Sequence, residues 1–193
     1  MKIILCVFLF SFSSAFANFG NPNTPQGGTF FYNLGVEPTT LHPISYTDAY
    51  SVDVFTFTLE SLLTRNEETL EWEPYLAESY KISKDGMTYE FKLREGLTWQ
   101  DGKPITAEDV KFSLDAIRNP KYKALDKIPY YESFKSPEVI DTRTIKFVST
   151  KKYYKNLEML AGLFIIPKHI YGTTDVVFEK ELNKKIYGSG PYV

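Results

Sequence analysis

The chain has 193 residues and a formal net charge of −2, from 22 basic and 24 acidic side chains that are interspersed along the sequence. Without a basic face or stripe, it lacks the electrostatic footprint of a nucleic-acid-binding protein, so nucleic acid is not an expected partner. The 15 phenylalanines and 14 tyrosines predict an aromatic-rich core, since a chain of this size buries about 70 % of its unfolded surface.

The first 17 residues have the order of features typical of a secretory signal peptide. Lys2 gives a positive start, residues 3–12 are an apolar core, and residues 15–17 read Ala-Phe-Ala, a cleavage site. The apolar run is shorter than the 20 or so residues that span a bilayer, and a buried N-terminal helix or strand is the alternative. We predict a signal peptide over residues 1–17, export to the periplasm, and a flexible lead-in over residues 18–28.

The segment after the lead-in alternates between strand, loop and helix signals. Residues 29–34 are rich in β-forming side chains and predict a strand, whereas the two prolines within residues 35–45 predict an extended loop. Asp48 can cap a helix that runs to about residue 64. The apolar side chains expected to share one face of that helix are Val52, Phe55, Leu59, Leu62 and Leu63.

A β-hairpin is the clearest local prediction. Residues 80–83 and 88–93 alternate between apolar and polar side chains, and the Asp85-Gly86 pair between them is a strong turn signal. Before the hairpin, residues 69–73 predict a short strand or turn, and residues 74–77 predict the start of a helical turn.

A loop and a capped helix follow the hairpin. The loop carries Trp99 and the turn pair Asp101-Gly102, and we expect the indole to pack beneath the turn rather than contact a ligand. The helix starts at Thr106, with Asp109 three residues later as a capping box, and stops at residues 119–120. Its apolar face comprises Val110, Leu114 and Ile117.

The remaining elements complete a mixed α/β pattern. Two strands are predicted over residues 138–140 and 144–148, a helix over residues 154–161, and a last helix from Asp175 to about Lys185. Residues 122–134 are aromatic and give no clear signal.

A catalytic constellation is not evident. The chain has no G-x-S-x-G elbow, its single cysteine, Cys6, lies in the signal segment, and His42 and His169 lack zinc-motif spacing. The acidic residues within 67–73 could supply a carboxylate pair for glycoside hydrolysis. We favour the simpler interpretation that they are solvent-exposed side chains of a hairpin. Gly188-Ser-Gly-Pro lacks the phosphate-loop pattern and predicts a turn into a strand. We expect neither an enzyme nor a cofactor or metal site.

Several blocks resemble, in order, the family 5 extracellular solute-binding proteins, the oligopeptide, dipeptide and nickel receptors of bacterial ABC importers. The blocks are E-P-T-T-L-H-P at residues 37–43, L-E-S-L-L at 59–63, the hairpin with W-Q-D-G at 76–102, P-K-H at 167–169 and G-S-G-P-Y at 188–192. His42 departs from the pattern, because the family usually has aspartate there.

The resemblance implies a mixed α/β fold, the partial first lobe of a type II, two-lobed periplasmic binding protein. Residues 29–193 would form this N-terminal lobe, truncated before the second lobe, with a smaller subdomain over residues 50–170. One lobe cannot bury a ligand alone, so residues 18–193 by themselves are expected to bind peptides negligibly. The family's strand at residues 188–193 would then leave an open edge that favours aggregation.

The implied function is the non-catalytic, substrate-binding component of an ABC transporter that captures peptides or a similar small solute in the periplasm. Its partners would be the solute and the ABC permease subunits of the inner membrane, with the full-length receptor a monomer. The alternatives are a receptor for a nickel chelate or oligosaccharide, and an exported hydrolase.

The resemblance also places the ligand-binding backbone at Thr47, Asp48 and Ala49. In peptide receptors of this family, the corresponding segment presents its N–H and C=O groups to the bound peptide. The competing interpretation is that Asp48 only caps the following helix.

Overall fold

A computed structural model describes residues 27–172 and 185–192. The chain divides into two compact units, Met1–Asn33 and Leu34–Val193. In the described part of the first unit the rings of Phe30 and Tyr32 stack with centroids 6.3 Å apart. The predicted signal peptide, most of the lead-in and the helix from Asp175 lie outside the described residues.

The second unit contains five helices and six strands among its described residues. The helices are α1 (Ala49–Thr58), α2 (Ala107–Arg118), α3 (Ile128–Tyr131), α4 (Asn156–Ala161) and α5 (Lys168–Tyr171). The strands are β1 (Leu63–Arg65), β2 (Trp72–Pro74), β3 (Ala77–Ile82), β4 (Thr88–Leu93), β5 (Glu138–Val139) and β6 (Thr144–Val148). A 3-10 turn over Pro120–Tyr122 follows α2.

The main sheet is antiparallel, with strand order β3-β4-β6-β5, and β1 pairs with β2 in a separate ribbon. The predicted hairpin is confirmed, since Tyr80 pairs with Phe91 and Ile82 pairs with Tyr89. Its turn needs Gly86, whose φ of +72° lies in the left-handed region that side chains disfavour. Alternate residues of β4 and β6 form the buried face: Tyr89, Phe91, Leu93, Ile145 and Phe147.

Helix α2 covers that face where it contacts β5 and β6. Its predicted start is confirmed, because the Asp109 carboxylate accepts hydrogen bonds from the backbone N–H of Thr106, at 2.9 Å, and from its hydroxyl, at 3.0 Å. The helix ends before Asn119-Pro120, as predicted. The side chains of its apolar face, Val110, Leu114 and Ile117, are all buried in the core.

Three local predictions are wrong. Helix α1 ends at Thr58 rather than near residue 64, and two buried residues follow it, Leu62 in a bend and Leu63 in β1. Residues 74–77 form no helical turn, because Pro74 ends β2 and Ala77 begins β3. Residues 29–34 are not in a strand, since β-forming side chains need a partner strand and no described strand pairs with them.

The predicted C-terminal strand is also wrong over its described residues, 188–192. These residues lie against the end of α1, where Gly190 donates a hydrogen bond to the Thr58 carbonyl at 3.0 Å and Tyr192 donates one to the Phe57 carbonyl at 3.3 Å. The open strand edge expected here is therefore not a feature of the described chain. Within that part of the chain, no helix is long and apolar enough to cross a membrane.

Candidate ligand-binding site

The segment predicted to contact the ligand lies at the start of α1. Asp48 is the N-cap, and its Oδ1 accepts a hydrogen bond from the backbone N–H of Ser51 at 2.8 Å. Its Oδ2 accepts one from the Thr39 hydroxyl at 2.5 Å and one from the Ser51 hydroxyl at 2.9 Å. These bonds, the Thr39 bond foremost, lower the pKa of the Asp48 carboxyl to about 2, so it is ionised at neutral pH.

The residues on either side of Asp48 are exposed. Thr47 precedes the cap and Ala49 is the first residue of the helix, where a backbone N–H has no partner within the helix. No described residue forms a hydrogen bond with the N–H of Ala49 or with the backbone of Thr47. The structure thus places all three predicted residues together, with the Asp48 side chain engaged and its neighbours' backbone available.

The chain before Thr47 is fixed by a lysine. Lys127 donates a hydrogen bond to the Tyr46 carbonyl, and its ammonium lies 3.9 Å from the centroid of the Tyr46 ring. The same ring packs edge-on against Phe55 of α1, with centroids 5.0 Å apart. Because loop and helix share these contacts, the exposed backbone at Thr47 is held in one orientation.

His42 supports the loop from inside the protein. It is 1 % exposed, and its Nδ1 faces the backbone N–H groups of Ile44 and Ser45 at 3.3 and 3.4 Å. Burial lowers the pKa of His42 to about 4, so the ring is neutral and Nδ1 accepts both bonds. Its edge meets Tyr171 at a centroid distance of 5.4 Å. A neutral imidazole therefore provides the acceptor that a carboxylate would provide at this position.

A groove with a volume of about 340 Å³ lies beside the loop. Its walls come from the loop and from helices α2, α3 and α4. Residues that line it include Ile44, Tyr46, Lys127, Tyr131, Lys155 and Phe164. Sequence reasoning missed this groove, because its walls come from segments more than 100 residues apart in the chain.

Comparisons with known proteins place these features in a family. A sequence model of "Bacterial extracellular solute-binding proteins, family 5 Middle" matches residues 71–193. The chain belongs to this family. The oligopeptide-binding protein AppA of Bacillus subtilis is 35 % identical over 186 residues, which cover 93 % of this chain and 33 % of AppA. The glutathione-binding protein GsiB of Escherichia coli O157:H7 is 32 % identical over 164 residues, 82 % of this chain and 30 % of GsiB.

Solved structures of family 5 proteins have the same fold. NikZ from Campylobacter jejuni, in complex with Ni(L-His), matches with a TM-score of 0.71 and 31 % identity, over 81 % of this chain and 31 % of NikZ. AppA in complex with a nonapeptide matches with a TM-score of 0.69 and 32 % identity, over 80 % of this chain and 31 % of AppA. The chain spans about a third of the length of these relatives. The predicted mixed α/β, type II periplasmic binding protein fold is confirmed for this part.

The family 5 sequence blocks contact one another in the structure. In the W-Q-D-G loop, Trp99 is buried and Asp101 Oδ2 lies 2.7 Å from Nε2 of His169 in the P-K-H block. Hydrogen bonds from the Lys103 backbone and from His169 lower the pKa of Asp101. The backbone N–H of Lys168 donates to Asp109 of the capping box at 2.9 Å. These blocks thus stabilise the lobe, and His169 serves as a surface partner of Asp101.

Gln100 joins the W-Q-D-G loop to the G-S-G-P-Y block. Its side-chain Oε1 accepts from the N–H of Gly188 at 3.2 Å, and its Nε2 donates to the carbonyls of Gly190 and Tyr192 at 3.2 and 2.6 Å. A Cβ on Gly188 would lie 1.8 Å from the Thr58 carbonyl oxygen, so the block needs glycine there because of close packing. In the sequence, Gly188 and Gly190 indicated a turn, but the sequence did not show that this turn packs against the end of α1.

The acidic run at residues 67–73 lies in and beside the turn between β1 and β2. Glu67, Glu68 and Glu71 are exposed, and Glu73 accepts a hydrogen bond from the Asn66 amide at 2.7 Å. Across residues 27–172 and 185–192, no three His, Cys, Asp or Glu side chains group as a metal site would require.

Proposed function

We propose that this chain is part of a substrate-binding component of an ABC importer, which captures peptides or a similar small solute in the periplasm without chemical change. Family 5 membership supports this role, and so do the names of the relatives, which are binding proteins for oligopeptides and glutathione. The observation that carries it is the fixed segment from Thr47 to Ala49, in which Thr47 and Ala49 are exposed and the N–H of Ala49 has no partner among the described residues.

The chemistry of this segment suits a peptide ligand. Every peptide carries the same backbone donors and acceptors, so contacts with N–H and C=O groups bind many sequences without selecting a side chain. Lys127 and the Asp48 cap hold the segment rigid, which reduces the entropy lost on binding. In the proposed role the signal peptide directs the protein to the periplasm, and ABC permease subunits receive the loaded receptor.

The test removes one backbone N–H without disturbing the fold. Ala49 is the first helical residue, where proline is favoured, and Asp48 has φ −111° and ψ 155°, which a residue before proline adopts readily. In the native gene product, Ala49→Pro should weaken peptide binding by about three- to tenfold, the cost of roughly one hydrogen bond, with thermal stability preserved. Isothermal titration calorimetry with a di- to pentapeptide pool measures the change.

Ala49→Val is the matched control, because it alters the same side chain but keeps the N–H. It should bind peptides like the unmodified protein. Equal losses in both variants, or no loss in Ala49→Pro, would contradict the proposed contact and leave Asp48 as a helix cap alone.

A nickel-chelate receptor is the second candidate, favoured by the structural similarity to NikZ. Adding Ni(L-His) to the same titration separates the two functions. Binding of the chelate without binding of any peptide would replace the peptide assignment. Peptidase and glycosidase assays on the same preparation test the exported-hydrolase alternative. Substrate turnover that is lost when a named carboxylate is mutated would establish that alternative.

A further inference from the structure

The groove beside the candidate loop is placed to receive part of a ligand held at that loop. Tyr46 lines the groove and directly precedes Thr47, the first of the proposed contact residues. At about 340 Å³ the groove lies at the small end of the range typical of ligand pockets, about 300–1,000 Å³. A peptide whose backbone lies along the loop would direct a side chain into it.

Most of the groove wall is apolar. Ile44 and Ile117 are buried, and Phe164 packs edge-on against Phe55 with centroids 6.0 Å apart. The Tyr131 hydroxyl is already used, because it donates to the Met159 carbonyl at 3.2 Å. These surfaces favour the hydrocarbon stem of a ligand, since each buried CH₂ contributes roughly 0.8 kcal/mol.

The charged side chains that line the groove differ in whether an oppositely charged group lies near them. Lys127 binds the Tyr46 carbonyl and lies 3.2 Å from Asp126, and Glu158 lies 3.7 Å from Arg65. Lys155 has no carboxylate within 4 Å in the part of the chain that the structure describes. Its ammonium lies 5.9 Å from the centroid of the Tyr154 ring. Among the described residues that line the groove, Lys155 is thus a cation with no carboxylate within 4 Å.

We propose that this groove binds a ligand side chain with an apolar stem and a terminal carboxylate, of the glutamyl type, and that Lys155 pairs with the carboxylate. The inference rests on the proposed function and adds a charge preference to it. A cationic side chain would meet Lys127 and Lys155 together, and a neutral amide would leave the charge of Lys155 unpaired.

The experiment compares peptides that differ only in charge. Tripeptide sets with glutamate, glutamine or lysine at each position, and alanine elsewhere, are titrated into the native gene product by calorimetry. In the preferred position the glutamyl peptide should bind about three- to tenfold more tightly than the glutaminyl peptide, and the lysyl peptide more weakly than both. Raising the salt concentration should shrink the preference, because the pair is partly open to solvent.

Two lysine variants identify the group responsible. Lys155→Met should reduce the glutamate-to-glutamine affinity ratio to within about twofold, since a half-exposed ion pair accounts for it. Lys152→Met removes an exposed lysine from the same loop, outside the groove, and should keep the original ratio.

Equal binding of glutamyl and glutaminyl peptides, or a ratio unchanged in Lys155→Met, would overturn this inference and leave the proposed function intact. Loss of the ratio in both lysine variants would also overturn it, because the preference would then come from general surface charge. Failure of every peptide to bind would instead overturn the proposed function, and this inference with it.

Discussion

At the scale of single residues, His42 gives the loop a pH-dependent support. The unfolded chain binds a proton at His42 below about pH 6.5, whereas in the folded protein burial lowers the pKa to about 4. Lowering the pH from 6.5 to 4 therefore favours the unfolded state. The stability that the neutral, buried His42 contributes is fully present above pH 6.5 and is lost by pH 4. The shift corresponds to roughly 3 kcal/mol.

His42→Asn should flatten this dependence, because the amide oxygen can accept a hydrogen bond without titrating. Urea unfolding between pH 4 and 7.5 measures it. The unmodified protein should lose up to about 3 kcal/mol more than His42→Asn over this range. Parallel curves for the two proteins would show that His42 binds its proton equally well folded and unfolded.

A substitution at Gly188 tests how closely residues 188–192 pack against the end of α1. The missing Cβ of Gly188 would lie 1.8 Å from the Thr58 carbonyl oxygen, so Gly188→Ala must push the two segments apart and should destabilise the fold by about 1–3 kcal/mol or more. Gly162→Ala is the control, since a Cβ there would be 3.4 Å from its nearest neighbour. It should change the free energy of unfolding by less than about 0.5 kcal/mol. Similar urea midpoints for both variants would contradict this account.

Residue-scale prediction from sequence succeeded where the partner lies nearby in the chain. Asp48 caps the residue three positions later, and Asp109 forms its capping box over the same distance. The acceptor role of His42 also uses near neighbours, but it depends on burial that the sequence did not reveal. The partners of Gln100 lie about 90 residues away, beyond any local pattern.

At the scale of elements, Asp109 links α2 to the first residue of α5. Besides the cap bonds to Thr106, its Oδ1 accepts from the Lys168 N–H at 2.9 Å, and the side chain is buried. Asp109→Ala would leave three partly buried donors without this acceptor, so it should cost about 2–4 kcal/mol in the free energy of unfolding.

The control for Asp109→Ala lies on the same helix. Asp115 pairs with Lys111 at 2.7 Å near the surface, and Asp115→Ala should cost less than about 1 kcal/mol. Chemical denaturation of both variants provides the comparison. A loss at Asp109 no larger than the loss at Asp115 would show that the link between α2 and α5 adds little stability.

Helices and strands were predictable where the spacing of apolar residues agreed with the turn or capping residues at their ends. The hairpin at Gly86 and the helix from Thr106 had both signals. Helix α1 had apolar spacing alone over its last residues, and that spacing continued past its end. Leu62 instead fills the core from a bend after α1. Its carbonyl accepts hydrogen bonds from the backbone N–H groups of Tyr75 and Ala77 rather than from the residue four positions later, as it would in a helix.

At the scale of the molecule, the order of short sequence blocks predicted the family and fold better than any single block. Each block is weak alone, but the structure shows why several occur together: W-Q-D-G, P-K-H and G-S-G-P-Y bind one another through Asp101, His169 and Gln100. The groove could not be predicted, because its shape arises only when four segments pack around it.

The fraction of the full-length protein that this chain represents also matters for ligand binding. Small-molecule sites bury about 70–90 % of the ligand surface, and in the proposed role the loop and groove would form one wall of such a site. The chain covers about a third of the length of its relatives, so binding belongs in tests on the native gene product. The domain limits at residues 17, 28 and 193 stay predictions.

The central claim is that the protein containing this chain binds peptides reversibly through the exposed backbone at Thr47–Ala49. The most direct measurement is native mass spectrometry of the gene product isolated from its own cells, followed by calorimetric titration with the di- to pentapeptide pool. The account predicts micromolar or tighter binding of intact peptides, weakened by Ala49→Pro and unaffected by Ala49→Val. Absence of binding by every peptide, or peptide cleavage during the titration, would contradict it.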